Sequence, residues 1–258
     1  MLKETLINAT EAGARVLLHF FNNKNLQISH KEGINNLVTE ADHASEKAII
    51  ECIRSVYPDH FILSEEVGEL VTSSEYKWVI DPIDGTINFA HGIPICCVSI
   101  GLEHNGEMIM GAVFNPFLKE FYFAEKGKGA TLNGEPISVS NESEVLKSCL
   151  VTGFPYTYLD AANGPLECFA RFVRQGIPVR RLGSAAMDLC WVAAGKFDGF
   201  YEHQLSAWDS AAGFLIVEEA GGKVTDYKGD RYSPYQPHIL ATNGKIHTEM
   251  LRWINQEV

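Results

Sequence analysis

The chain has 258 residues, 46% of them hydrophobic, enough for one large domain or two closely packed ones with a sizeable core. Its formal net charge of -12 argues against a nucleic-acid backbone or an anionic membrane as the main partner, because neither attracts a field of that sign. Six cysteines without a C-x-x-C pair exclude a sequence-evident zinc site or disulfide framework, and read as buried free thiols in a reducing compartment.

The N-terminus shows no basic segment followed by an apolar stretch and small-residue cleavage site, and no window reaches the roughly 18 apolar residues of a membrane span. A soluble, cytoplasmic protein is the expectation. Residues 2 to 21 place Leu2, Leu6, Ala9, Val16, Leu17 and Phe20 on one helical face. Thr39 then announces a second helix, with Asp42 in its first turn and Pro58 beyond its end.

Short strands follow at 61–63 and 78–80, and a hairpin is expected between Cys97–Glu103 and Met108–Phe114, turning at Asn105-Gly106. Residues 119–124 and the Asn133-Gly134 turn extend this meander. Beyond residue 145 the pattern alternates: strand 149–151, helix 161–174, strand 177–181, helix 184–195, strand 197–201, helix 209–220, strands 223–225 and 238–242, and helix 246–256. The polar run Ser140-Asn141-Glu142-Ser143-Glu144 marks the boundary between an α+β half, 1–144, and an α/β half, 145–258.

Chemistry gathers in Lys77-Trp78-Val79-Ile80-Asp81-Pro82-Ile83-Asp84-Gly85-Thr86-Ile87-Asn88-Phe89. Asp-Gly alone is a common turn, and Pro82 can be punctuation. Asp81 at a strand end and Asp84 on the following loop can also converge on one cation, with the intervening main-chain carbonyl as a further hard ligand; such a set suits Mg²⁺ or Mn²⁺. Left uncompensated at about 4 Å, two carboxylates repel by ~4 kcal/mol at an effective dielectric near 20. Gly85-Thr86-Ile87-Asn88 can open a short helix whose N–H groups would suit a phosphate.

Two further acidic stretches have the same character: Ser64-Glu65-Glu66 after a strand, and Trp208-Asp209-Ser210 where a loop becomes an apolar helix. Asp209 by itself is more often a helix N-cap. Neighbours on an extended segment point to opposite sides, so only one of Glu65 and Glu66 reaches a shared ion; Glu65 is favoured. Arg180-Arg181-Leu182-Gly183-Ser184-Ala185-Ala186 joins a strand to a helix, with Gly183 permitting close approach and Ser184 as the expected cap.

With D-P-I-D-G-T-x-N-F, the upstream S-E-E and the downstream W-D-S-A-A-G, the sequence resembles the inositol monophosphatase family over nearly its whole length. The resemblance implies a mixed α+β, α/β fold, a layered α-β-α-β-α sandwich of the inositol monophosphatase and sugar phosphatase type, in a homodimer. It implies Mg²⁺-dependent, Li⁺-sensitive hydrolysis of inositol monophosphate or a similar polyol or sugar phosphate, with two or three Mg²⁺ ions and Mn²⁺ as a substitute.

Carried over by motif, the metal ligands are Glu65, Asp81, the carbonyl of Ile83, Asp84 and Asp209, with Asp81 bridging two ions. Glu65, Asp42 and Thr86 are the catalytic residues, Asp42 and Thr86 orienting and helping to deprotonate the attacking water. Substrate contacts fall on Asp84, Gly85, Thr86, Gly183, Ser184, Ala185, Glu202 and Asp209. Lys31 matches a loop that approaches the active site. Asn36 and Ser206 stand where animal relatives carry aspartate and histidine, and Ile87 where they carry threonine; the first two alter pocket polarity and leave the metal ligands intact.

Other classes fit less well. A non-catalytic cation-binding protein would need a D-x-[DN]-x-[DN]-G loop, a P-loop enzyme G-x-x-x-x-G-K-[ST], and a serine hydrolase a G-x-S-x-G elbow; none is present. Histidinol phosphate, fructose 1,6-bisphosphate and 3′-phosphoadenylates remain alternative substrates for the same metal core.

Overall fold

A computed structural model describes residues 1–23, 27–30, 37–155 and 164–256; Lys31 and Asn36 lie outside this set. The chain opens with α1 (Leu2–Phe20), the antiparallel pair β1 (Ile28–His30) and β2 (Leu37–Thr39), and α2 (Glu40–Val56). Then come β3 (Phe61–Ser64), β4 (Gly68–Leu70), β5 (Tyr76–Asp84), α3 (Thr86–Ala90), β6 (Cys97–His104), β7 (Glu107–Asn115), β8 (Glu120–Glu125), β9 (Ala130–Leu132) and β10 (Glu135–Pro136). After a 3-10 turn at Val145–Lys147 follow β11 (Leu150–Thr152), α4 (Pro165–Arg174), β12 (Val179–Arg180), α5 (Ala185–Ala193), β13 (Gly199–His203), α6 (Ala207–Glu219), β14 (Lys223–Thr225), β15 (His238–Thr242) and α7 (His247–Ile254).

The strands form an eight-stranded sheet, ordered β10-β9-β8-β7-β6-β5-β3-β4, and a five-stranded sheet, β12-β11-β13-β15-β14. In the first only β3 and β5 run parallel; in the second β11 is parallel to both of its neighbours.

Side-chain alternation on these strands builds five layers. Trp78 and Ile80 of β5 pack against Leu6 and Leu17 of α1 and Ile49 and Ile53 of α2, while Val79, between them, faces α5 and α6. The second sheet repeats the logic. Val151, Phe200 and Ala241 face α5 and α6, whereas Leu150, Tyr201 and Leu240 face Phe172 of α4 and Met250 of α7. The order is helix, sheet, helix, sheet, helix, and the central core is continuous between the two sheets. With both faces covered, the central strands read as unbroken apolar runs. Lying between two sheets likewise makes α6 apolar all round, buried from Ser210 through Val217.

Three boundaries differ from the sequence expectation in ways that matter below. β5 runs on to Asp84, which therefore ends a strand and does not lie in a loop. α6 starts at Ala207, placing Asp209 third in the helix. β13 begins at Gly199 because Lys196 and Phe197 still donate to the Trp191 carbonyl at the end of α5, and the shifted strand carries Glu202.

The seat of α6 on the first sheet depends on the absence of a side chain at Gly111 of β7. A Cβ there would lie 2.8 Å from the Ala212 carbonyl oxygen, which is backbone and cannot swing away. Gly111→Ala is therefore expected to destabilise the fold by ~1–3 kcal/mol, lowering Tm by roughly 2–12 °C in a thermal melt.

Candidate active site

The site begins with a defect in sheet register. Asp81 pairs with Ser99 of β6 and Asp84 with Cys97, so a three-residue step on β5 matches a two-residue step on its neighbour. Residues three apart on a regular strand face opposite ways. The extra residue of this bulge restores parity and turns both aspartates to one face. The Asp81 carboxylate stabilises the irregularity itself, accepting from the Ile83 N–H at 3.0 Å.

Gly85 turns the chain out of the strand at φ +90°, a left-handed conformation, and a Cβ there would lie 2.8 Å from the Ile95 carbonyl. The Thr86 hydroxyl lies 3.0 Å from the Ile83 carbonyl and 3.2 Å from Asp42 Oδ1. Asn88 Nδ2 donates to the Ile95 and Leu182 carbonyls, both at 2.8 Å, tying α3 to the loop that leads into α5.

Asp84 reaches across to α5. Its Oδ2 accepts from the Ser184 hydroxyl at 2.5 Å and the Ala186 N–H at 2.8 Å, and the Ala185 N–H also bonds to the carboxylate. The expectation that Ser184 caps its own helix is corrected here. Ser184 makes no side-chain cap, because a carboxylate from 100 residues earlier takes the free N–H groups of the first turn.

Asp209 has both of its sequence-level roles open at once. Its Oδ2 accepts from the Ser206 N–H at 2.6 Å, closing a capping box on α6. Carboxylate oxygens of Asp209, Asp81 and Asp84 also lie within 4.8 Å of one another. Asp42 performs the same capping on α2, with Oδ2 accepting from the Thr39 N–H at 2.7 Å and the Thr39 hydroxyl at 2.6 Å.

A cleft of about 430 Å³ opens beside these groups. Of the residues singled out from sequence, Glu65, Asp84, Gly85, Gly183, Ser184, Ala185, Glu202 and Asp209 line it. Asp42, Asp81 and Ile83 are buried, and Thr86 is half-buried against Asp42 and Ile83. Glu65 lines the cleft and Glu66 does not, although the reason differs from the one expected: both lie in the turn between β3 and β4, not on an extended segment.

Sequence reasoning missed what holds that turn. Glu46 of α2 is only 2% exposed, and its Oε1 accepts from the Ser64 hydroxyl at 2.5 Å and from the Glu66 and Val67 N–H groups at 3.0 and 3.1 Å. One residue earlier Ser45 donates to the Pro82 carbonyl at 2.9 Å. Asp42, Ser45 and Glu46, spaced i, i+3, i+4, thus grip the α3 start, the bulge and the Glu65 turn from one helix face.

The electrostatics are adverse. Burial holds the Asp81 carboxyl well above the ordinary range, and the charges of Glu65, Asp84, Asp209 and Asp42 raise it further. Burial also raises Asp84, but its donors from Ser184, Ala186, Ala185 and Cys97 offset part of that. Among the described residues, no lysine or arginine forms an ion pair with Asp81 or Asp84. The donor set of carboxylates and the Ile83 carbonyl is all hard oxygen, the chemistry of a Mg²⁺ or Mn²⁺ site. The nearby Cys97 thiol is pushed far up by burial and the adjacent carboxylates, so it stays protonated and is a poor ligand for a softer ion.

Two outcomes follow from this arrangement. Glu46→Ala leaves one hydroxyl and two N–H groups without their acceptor, at an expected cost of ~2–4 kcal/mol in urea unfolding, with faster amide exchange at residues 64–67. For Asp81, native protein holds the proton more tightly than unfolded chain does. Its contribution is therefore complete below the unfolded pKa of about 3.9 and is lost as pH rises through the raised native value. In chelator, Asp81→Asn is expected to exceed wild type in urea midpoint at neutral pH, with the gap closing on acidification below about pH 4.

Comparison with known proteins agrees with this geometry. A sequence model of the inositol monophosphatase family matches residues 2–258. An inositol-1-monophosphatase of Synechocystis sp. is 47% identical over 227 residues, covering 87% of this chain and 78% of that protein. An inositol monophosphatase structure from Anabaena (Nostoc) sp. superposes with a TM-score of 0.87 at 42% identity, covering 99% of this chain and 96% of that one. The extragenic suppressor protein suhB of Bartonella henselae gives a TM-score of 0.91 at 34% identity, covering 100% and 99%. With the bulged D-P-I-D segment, the helix-capping aspartates and this likeness over its full length, the chain belongs to the inositol monophosphatase family and is a phosphatase, a phosphoric monoester hydrolase.

Proposed function

We propose that the chain is a Mg²⁺-dependent phosphomonoesterase that hydrolyses an inositol monophosphate, or a similar polyol or sugar phosphate, by direct attack of water. The observation that carries this reading is the approach of three carboxylates to within 4.8 Å of one another beside a polar cleft. Asp81, Asp84, Asp209, Glu65 and the Ile83 carbonyl would hold the ions, two or three in number, with Asp81 the most central by its interaction with the other acids. When bound, Mg²⁺ supplies Lewis acidity to the phosphoryl group and lowers the pKa of water.

The chain's own residues supply the rest. Thr86, hydrogen-bonded to Asp42, orients the attacking water through its hydroxyl, and the buried Asp42 carboxylate favours removal of the proton. Gly183, Ser184, Ala185 and Glu202 receive the leaving alcohol. A Cβ on Gly153 would come within 2.2 Å of the Glu202 carboxylate, so any larger residue at 153 would shift that carboxylate from its place on the wall. A division at residue 144 assigns the metal motifs to 1–144, and the substrate wall with the last ligand, Asp209, to 145–258. A homodimer in a reducing cytoplasm and inhibition by Li⁺ complete the proposal, on the strength of the family likeness and six free cysteines.

A panel of inositol, sugar, histidinol and nucleotide monophosphates separates this reading from the other substrates. Phosphate release from inositol 1-phosphate is expected with Mg²⁺ and not with chelator. Asp84→Asn is expected to lower kcat by at least about 100-fold, ~3 kcal/mol; full activity in that variant at saturating Mg²⁺ would overturn the ligand assignment.

A further inference from the structure

Asp188 has no part in the assignment above, yet it lines the same cleft as Glu202 and Arg181. It stands four residues after Ser184, so the two side chains share a face of α5. It is 1% exposed, and its Oδ1 has no hydrogen-bond partner. Every other residue from Ala185 to Ala193 is apolar, and all of them are buried. A buried, unsatisfied carboxyl oxygen in such a helix is a standing cost, relieved when a donor enters from the cleft.

We propose that Asp188 is a specificity-determining residue whose open carboxyl oxygen accepts a hydrogen bond from a hydroxyl of the leaving alcohol, on the wall it shares with Glu202. Two acidic acceptors on one wall select esters of polyhydroxylated alcohols over esters with no further hydroxyl. Arg181 offsets part of the negative charge on this wall, and 2-aminoethyl phosphate tests whether a cation or a hydroxyl is the donor. The assignment rests on the phosphomonoesterase reading and extends it to the selection of substrate.

The test compares wild type, Asp188→Leu and Asp188→Asn on myo-inositol 1-phosphate, 2-aminoethyl phosphate and p-nitrophenyl phosphate, with Tm measured to confirm folding. Asp188→Leu is expected to lower kcat/KM for the inositol ester roughly 10- to 100-fold, mainly through KM, with p-nitrophenyl phosphate held within about 2-fold. Asp188→Asn, which keeps a carbonyl acceptor, is expected to restore most of the loss, and the Mg²⁺ concentration for half-maximal rate should not move in either variant. Equal losses on the inositol and nitrophenyl esters, or no loss on either, overturn the assignment. A wild-type preference for 2-aminoethyl phosphate that vanishes in Asp188→Asn overturns the hydroxyl in favour of a cation. Wild-type inactivity on all three esters overturns the reading of a polyol phosphate as substrate, and this assignment with it.

Discussion

One surplus residue in β5 relative to β6 governs the site. Without the bulge between Asp81 and Asp84, strand parity would send the two carboxylates to opposite faces, one toward α1 and α2 and the other toward α5 and α6. With it they share a face, and Asp84 arrives where α5 begins. The remaining elements support that offset. Ser45 holds the Pro82 carbonyl inside it, Gly85 turns the chain out of it, and Asn88 ties the turn to the opposite wall of the cleft.

The concentration of negative charge becomes tolerable through the helices. Asp42, Asp84 and Asp209 each accept hydrogen bonds from backbone N–H groups at a helix start, of α2, α5 and α6 respectively. Three helix N-termini thereby direct their positive partial charges toward one cluster of acids. Capping and metal holding are compatible uses of a carboxylate, since it has two oxygens and about four lone-pair sites. Asp81 caps no helix, and burial together with the charges of Glu65, Asp84, Asp209 and Asp42 raises its carboxyl.

Much of this was legible in the sequence, for reasons that can be located. The acidic motifs, the Gly85 turn, the cap at Thr39 and the periodicity of most elements come from local chemistry. Glu46 and Asp188 were not read. Glu46 stands in a run of charged and small residues that resembles any solvated helix face, and only the turn it meets, 20 residues away, gives it a role. Asp188 did leave a signal, an acid alone in an otherwise apolar helix, which is costly unless that helix borders a polar cavity.

The sequence by itself determined the inventory: which carboxylates exist, which motifs carry them, and that Gly85 turns the chain after D-P-I-D. Those are matters of side-chain type and backbone conformation within a few residues. Tertiary structure alone decided that Asp84, not Ser184, caps α5, that Glu65 reaches the cleft from a turn, and that α2 grips three segments at once. Each of these depends on register between strands or on the meeting of elements far apart in the chain. Local preference carries no information about where a strand's neighbour begins its count.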